Sequence, residues 1–162
     1  MARHQLDIDA TELRDRKRLI YGRMVDEKLT LKPGAKYLVE HLTAAGLRLC
    51  VASGSREASI RYTLSKFSLL EHFEKLCSGE HEAHSKPYPD VYLTALREMR
   101  IDASQAVAIE DSPTGLAAAK AAGIRCVVCP DSFMPHGRSY EGASLMVESL
   151  EELNASELHE LL

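Results

Sequence analysis

Apolar positions along this chain follow two different rhythms. Over 10–28 they recur at Leu13, Ile20, Met24 and Val25 with charges between them, the period of an amphipathic helix. Asp9 stands where an N-cap belongs, and Glu12 three residues later completes a capping-box pattern. A turn at Lys32-Pro33-Gly34 leads to a second helix through Tyr37, Leu38, His41 and Leu42, stopping at Gly46. The rhythm then changes. Residues 47–52 form a short, nearly continuous apolar run, as expected of a strand covered on both faces. A helix over 56–67, a weaker strand over 75–78 and a polar loop over 79–85 follow. Next come a helix over 88–100, a strand over 106–109 and an Ala-rich helix over 113–122 that ends at Gly123. The last part holds a strand from Arg125, a Pro- and Gly-rich loop over 131–142, a short strand at Leu145-Met146-Val147 and a helix over 150–162. Alternation of this kind implies right-handed crossovers and an α/β fold with a mainly parallel sheet.

Composition narrows the classes. The chain has 162 residues, enough for one domain that buries about two-thirds of its unfolded surface. Its net charge is −4 and no basic stripe interrupts it, which argues against a nucleic-acid partner. Arg14 to Arg18, interleaved with Asp15, reads as the solvated face of a helix. No apolar run reaches membrane-spanning length and no signal-peptide core opens the sequence, so no membrane partner and a cytoplasmic location are expected. Four cysteines make no disulfide framework at this size. Cys126-Val127-Val128-Cys129 spells CxxC, but in a strand side chains three apart point to opposite faces. The pair is therefore expected to be buried and chemically idle. His81 and His84, in a polar loop, are taken as surface histidines rather than metal ligands.

Three segments carry chemistry. The first is Val51-Ala52-Ser53-Gly54-Ser55, a strand end followed by a helix start. Free N–H groups at such a start favour an anion such as phosphate, the Ser53 hydroxyl can add a hydrogen bond, and Gly54 permits close approach. Ser-Gly-Ser is equally a common helix cap. The second is Ser85-Lys86-Pro87-Tyr88-Pro89-Asp90, in which Lys86 sits on a stiff loop as a point charge for a phosphoryl oxygen or a carboxylate. The third is Ile109-Glu110-Asp111-Ser112-Pro113-Thr114-Gly115. Adjacent carboxylates after a buried strand call for a cation, and at a phosphate site hard oxygen ligands suit Mg²⁺. Asp111 could instead cap the following helix, with Ser112 or Thr114 helping. Ser53 and Glu110-Asp111 both follow strands directly, so both fall on the carboxyl edge of the sheet, where open α/β sheets bind ligands.

In this order and spacing the three segments resemble the haloacid dehalogenase superfamily, in its β-phosphoglucomutase-like branch of sugar-phosphate phosphatases and mutases. The resemblance runs from about Leu13 to the end of the chain. It implies a Rossmann-like three-layer core over 32–162 and a remnant of a helical cap over 1–31. By resemblance Ser53 holds the phosphoryl group with Gly54 and Ser55, Lys86 stabilises the passing charge, and Asp111 binds Mg²⁺ assisted by Glu110. The implied activity is Mg²⁺-dependent hydrolysis of a small phosphorylated metabolite, a sugar phosphate, through an aspartyl-phosphate. Phosphosugar mutase and a non-catalytic binding domain are the alternatives. The family's first motif, a strand ending in Asp-x-Asp-Gly, has no match. Asp7-Ile8-Asp9 fails because no apolar strand precedes Asp7 and no glycine follows Asp9. The chain thus resembles a member truncated inside its cap, lacking the first strand and most of the cap helices. That strand lies between those matching 47–52 and 106–109. Its absence leads to an expectation of aggregation, of self-association through unpaired edges, or of two half-sheets closing directly on each other.

Overall fold

In the computed structural model, which describes residues 9–131 and 140–162, the strands form two separate parallel sheets rather than one. The chain divides into two units, Met1–Leu31 and Lys32–Leu162. The first holds α1 (Ala10–Lys28), in which Leu13, Ile20 and Met24 are exposed and Glu12 pairs with Arg16 one turn on at 3.4 Å. Nothing in α1 is long and apolar enough to cross a membrane, and the same holds for every described helix.

The second unit runs α2 (Ala35–Ala44), β1 (Leu49–Ser53), α3 (Glu57–Lys66), β2 (Phe73–Ser78), α4 (Asp90–Met99), β3 (Val107–Glu110), α5 (Pro113–Ala121), β4 (Arg125–Val128), β5 (Leu145–Met146) and α6 (Ala155–Glu160). Strand β1 pairs with β2 from Cys50↔Lys75 to Ser53↔Ser78, after an irregularity at Leu49. Strand β4 lies between β3 and β5, with Val107↔Arg125 and Val127↔Leu145 in register. Among the described residues no ladder joins β1 to β3.

Side chains sort by the period of two. Cys126 and Val128 enter a cluster with Val91, Tyr92, Leu116 and Ala119 from α4 and α5. Val127 and Cys129 enter the other cluster, with Leu38 and Leu42 of α2 and Leu158 of α6. Helices therefore cover the strands on both faces, and the two cysteines of the CxxC lie on opposite sides as free thiols. Burial pushes the Cys126 thiol up to about 12.

The differences from the sequence-based elements are local. The last helix does not run from 150: a single 3₁₀ turn (Leu150–Glu152) comes first, and Asn154 then caps α6 by accepting from the Glu157 amide at 3.1 Å. Short polar side chains that bond nearby amides stop and restart helices in this way. Strand β2 starts at Phe73, before the expected 75. Most of the 131–142 loop, and Asp7-Ile8, lie outside the described residues. The two half-sheets have not closed on each other.

Leu153, 1% exposed between α2 and α6, is a central member of the second cluster. Leu153→Ala is expected to cost about 2–5 kcal/mol in urea unfolding. Leu93→Ala, on the exposed side of α4, should stay within about 0.5 kcal/mol.

Candidate active site

The loop after β2 brings Lys86 back across the carboxyl ends of β1 and β3. Its ammonium donates to the Ala52 carbonyl at 3.0 Å and to Glu110 Oε1 at 2.5 Å. Both side chains are mostly out of water, at 18% and 8% exposure, so each charge depends on the other. The Lys86–Pro87 peptide is cis, and Pro89-Asp90 then opens α4. From one turn into α4, the Tyr92 hydroxyl also donates to Glu110 Oε1, and the Lys86 ammonium lies 4.8 Å from the centre of the Tyr92 ring. Burial, then the neighbouring Glu110 charge, raises the Tyr92 phenol above its ordinary value.

Glu110 is closed in on a third side. A Cβ on Gly115 would stand 1.9 Å from Glu110 Oε2, so the first turn of α5 accepts this carboxylate only because residue 115 has no side chain. Ser112 caps α5 by accepting from the Gly115 amide at 3.1 Å, and Pro113 follows at the first helical position. The cap is thus Ser112 and not Asp111. The Asp111 side chain is exposed and makes no hydrogen bond among the described residues; its carbonyl accepts from the Tyr140 hydroxyl at 3.0 Å.

Ser53 and Asp111 each lie one residue beyond a group that Lys86 holds. The first segment differs in detail from its sequence reading. Helix α3 begins at Glu57 with Arg56 as N-cap, so Ser53-Gly54-Ser55 forms a loop before the helix rather than its cap. The Ser53 hydroxyl accepts from the Ser55 amide at 3.1 Å, and the Gly54 amide carries no partner among the described residues. The Glu57 amide, at the helix start, is already taken by Glu80 at 2.9 Å, and the Ser78 hydroxyl donates to the Ser55 carbonyl at 2.7 Å. Tyr92, Glu80, Ser78 and Gly115 were not singled out from the sequence. Only Gly115 carried a signal, as the glycine closing the third segment. His84 faces Asp90 at 3.0 Å, and no cluster of three metal-ligating side chains exists among the described residues.

Lys86 thus bridges the ends of β1 and β3, and the Ser53 loop and the exposed Asp111 follow those ends directly. A model of the haloacid dehalogenase-like hydrolases matches residues 2–129. The chain belongs to that family. It is 37% identical over 134 residues to Protein CbbY of Cereibacter sphaeroides, covering 80% of this chain and 57% of that one. It is 34% identical over 135 residues to hexitol phosphatase B of Escherichia coli K12, covering 83% and 61%. The chain therefore spans about three-fifths of the length of these relatives. Crystal structures of CbbY from Rhodobacter sphaeroides, one with phosphate and one with xylulose-1,5-bisphosphate, superpose with TM-scores of 0.86 and 0.85. Both are 32% identical and cover 94% of this chain, and 70% and 69% of theirs.

Two outcomes follow from Glu110's surroundings. Gly115→Ala should destabilise by about 1–3 kcal/mol in denaturant, and far less in a Glu110→Ala background, where the clashing carboxylate is gone. Tyr92 stays neutral in the folded chain at a pH where the unfolded phenol ionises, so its contribution is intact below the ordinary value of 10.0 and is lost as pH rises beyond it. Urea midpoints between pH 8 and 11 should therefore fall more steeply for the wild type than for Tyr92→Phe.

Proposed function

We propose that these residues form the phosphate- and metal-binding part of a Mg²⁺-dependent phosphatase acting on a small phosphorylated sugar. The observation that carries this is Lys86, held by Ala52 and Glu110 where the two strands end. A fixed ammonium there neutralises a phosphoryl oxygen without needing to reorganise. The Ser53 hydroxyl and the open Gly54 amide would hold phosphoryl oxygens on the β1 side. Asp111, exposed and unspent as a cap, would take Mg²⁺, with Glu110 beside it. One or two carboxylates with several retained waters is the usual demand of this ion. When bound, Mg²⁺ supplies charge to the phosphoryl group. The sugar-phosphate class is supported by the names of hexitol phosphatase B and of the bisphosphate complex of CbbY. The hydrolytic step needs a nucleophile, and among the described residues Glu110 is the one carboxylate on Lys86, already occupied by it and by Tyr92. The reading therefore assigns binding roles here and leaves the attacking group to other residues.

Titrating the 162-residue chain with Mn²⁺ in place of Mg²⁺, with inorganic phosphate present, tests this. Binding seen by paramagnetic resonance should weaken at least about tenfold in Asp111→Asn, and phosphate binding should weaken likewise in Lys86→Ala. Unchanged metal binding in Asp111→Asn would remove the metal assignment. Unchanged phosphate binding in Lys86→Ala would remove the anion assignment.

A further inference from the structure

Strands β1 and β2 leave their ladder together, at the pair Ser53↔Ser78. The segments that follow, 53–55 and 78–80, therefore start side by side, and three ties join them. Ser78 is only 4% exposed. A buried hydroxyl must find partners, and this one finds them within the two segments. It donates to the Ser55 carbonyl at 2.7 Å and accepts from the Glu80 amide at 3.2 Å. Glu80 makes the second tie, its carboxylate accepting from the Glu57 amide at 2.9 Å. Between these two the backbones touch. A Cβ on Gly79 would stand 3.0 Å from the Gly54 Cα and 3.4 Å from the Ser53 carbonyl oxygen. Gly54 and Ser55 nevertheless stay exposed on their other side.

We propose that Ser78 is a positioning residue for phosphate, acting through the loop Ser53-Gly54-Ser55, with Gly79 and Glu80 as its supports. This role rests on the phosphate reading of that loop and adds what sets the loop's shape. Ser55 is held from both sides, its carbonyl by Ser78 and its amide by the Ser53 hydroxyl at 3.1 Å. The second bond fixes which way the Ser53 oxygen points. Because that oxygen is the acceptor there, its own proton is left to be given to a phosphoryl oxygen. The Gly54 amide lies between the two fixed residues and has no partner among the described residues. Two donors are thus set before any ligand arrives, the condition under which an anion is bound without a cost of reorganisation. Glu80 adds a constraint of charge. Its carboxylate sits on the first amide of α3, so the start of that helix carries its own anion. A second anion is disfavoured there, which leaves Ser53 and Gly54 as its place.

Inorganic phosphate is titrated into the full 162-residue chain while the Gly54 and Glu57 amides are followed by proton–nitrogen correlation NMR. In the wild type the Gly54 amide should shift with phosphate and the Glu57 amide should stay in place. Ser78→Ala should weaken the affinity read at Gly54 by about five- to tenfold, with unfolding in urea still cooperative. Gly79→Ala keeps the Ser78 hydroxyl but presses on the Gly54 backbone, and it should weaken phosphate by a similar factor. It carries the test alone if Ser78→Ala does not unfold cooperatively. In a Ser53→Ala background, Ser78→Ala should weaken binding by a smaller factor than in the wild type, because the hydroxyl it helps to aim is gone. Unchanged affinity in the folded variants overturns the positioning role. So do equal factors for Ser78→Ala in the two backgrounds, or a phosphate shift at Glu57 in place of Gly54. A wild-type chain in which neither amide responds to phosphate would instead remove the phosphate reading itself, and the positioning role with it.

Discussion

A single ion pair sets the geometry of the carboxyl edge. Lys86 and Glu110 lie mostly out of water, 2.5 Å apart, the one on the loop after β2 and the other at the end of β3. An ammonium in such a place needs acceptors close by, and of its three N–H groups one goes to Glu110 and a second to the strand end at Ala52. Removing either partner of such a pair leaves an uncompensated charge, at a cost of about 3–5 kcal/mol. The arrangement is over-determined on the acid's side. Tyr92 reaches the same oxygen from α4, and the bare Cα of Gly115 makes room for the other. With Glu110 fixed, Lys86 is fixed, and with Lys86 the ends of β1 and β3 are held at one place.

That constraint separates two acids that are neighbours in sequence. Glu110 ends β3 and turns inward to Lys86 and Tyr92, whereas Asp111 is exposed. What leaves Asp111 available is the next residue. Ser112 serves as the cap of α5, a task that an aspartate performs as well. Had Asp111 been the cap, its oxygens would be committed to backbone amides. One acid positions a cation that the chain carries itself; the other stays exposed, with no hydrogen bond to its side chain among the described residues.

The order of strands and helices, the two-faced burial of β4 and the placing of Ser53 and Glu110 after strands on one sheet edge were legible in the sequence, whereas Lys86 joined them only through the family resemblance. Each depends on local pattern and on the rule that parallel strands present their carboxyl ends together. The partners of those groups were not legible. Tyr92 stands at an ordinary apolar-face position of α4, and nothing in its neighbours says that its hydroxyl meets a carboxylate. Glu80 sits in a loop that sequence treats as solvated, yet it takes the first amide of α3 from a distance of 23 residues. The break at Asn154 was missed for another reason. Apolar residues at Leu150, Leu153 and Leu158 keep a helical period across it, and periodicity is blind to a cap inside the run.

The apolar runs at 47–52 and 106–109 say that a strand is covered above and below, but they are silent about its edges. Strand β4, flanked on both sides, has Val127 and Val128 at 0% exposure, while no residue of β1 is fully buried and Ile109 is 38% exposed. The difference arises sideways, from an open slot of about 440 Å³ lined by residues of β1 and β3, which do not pair. It also changes what the missing ladder costs. An unpaired amide sealed in a core forfeits about 1–3 kcal/mol, but one that still meets water keeps a hydrogen bond. The slot therefore shifts the burden from unmade hydrogen bonds to apolar side chains left partly wet, a loss of about 25 cal/mol for each Å² that remains exposed. Closing the halves on each other would recover that area. What joins the two strand ends instead is a side chain and not a ladder: Lys86 bonds the Ala52 carbonyl of β1 and the Glu110 carboxylate of β3.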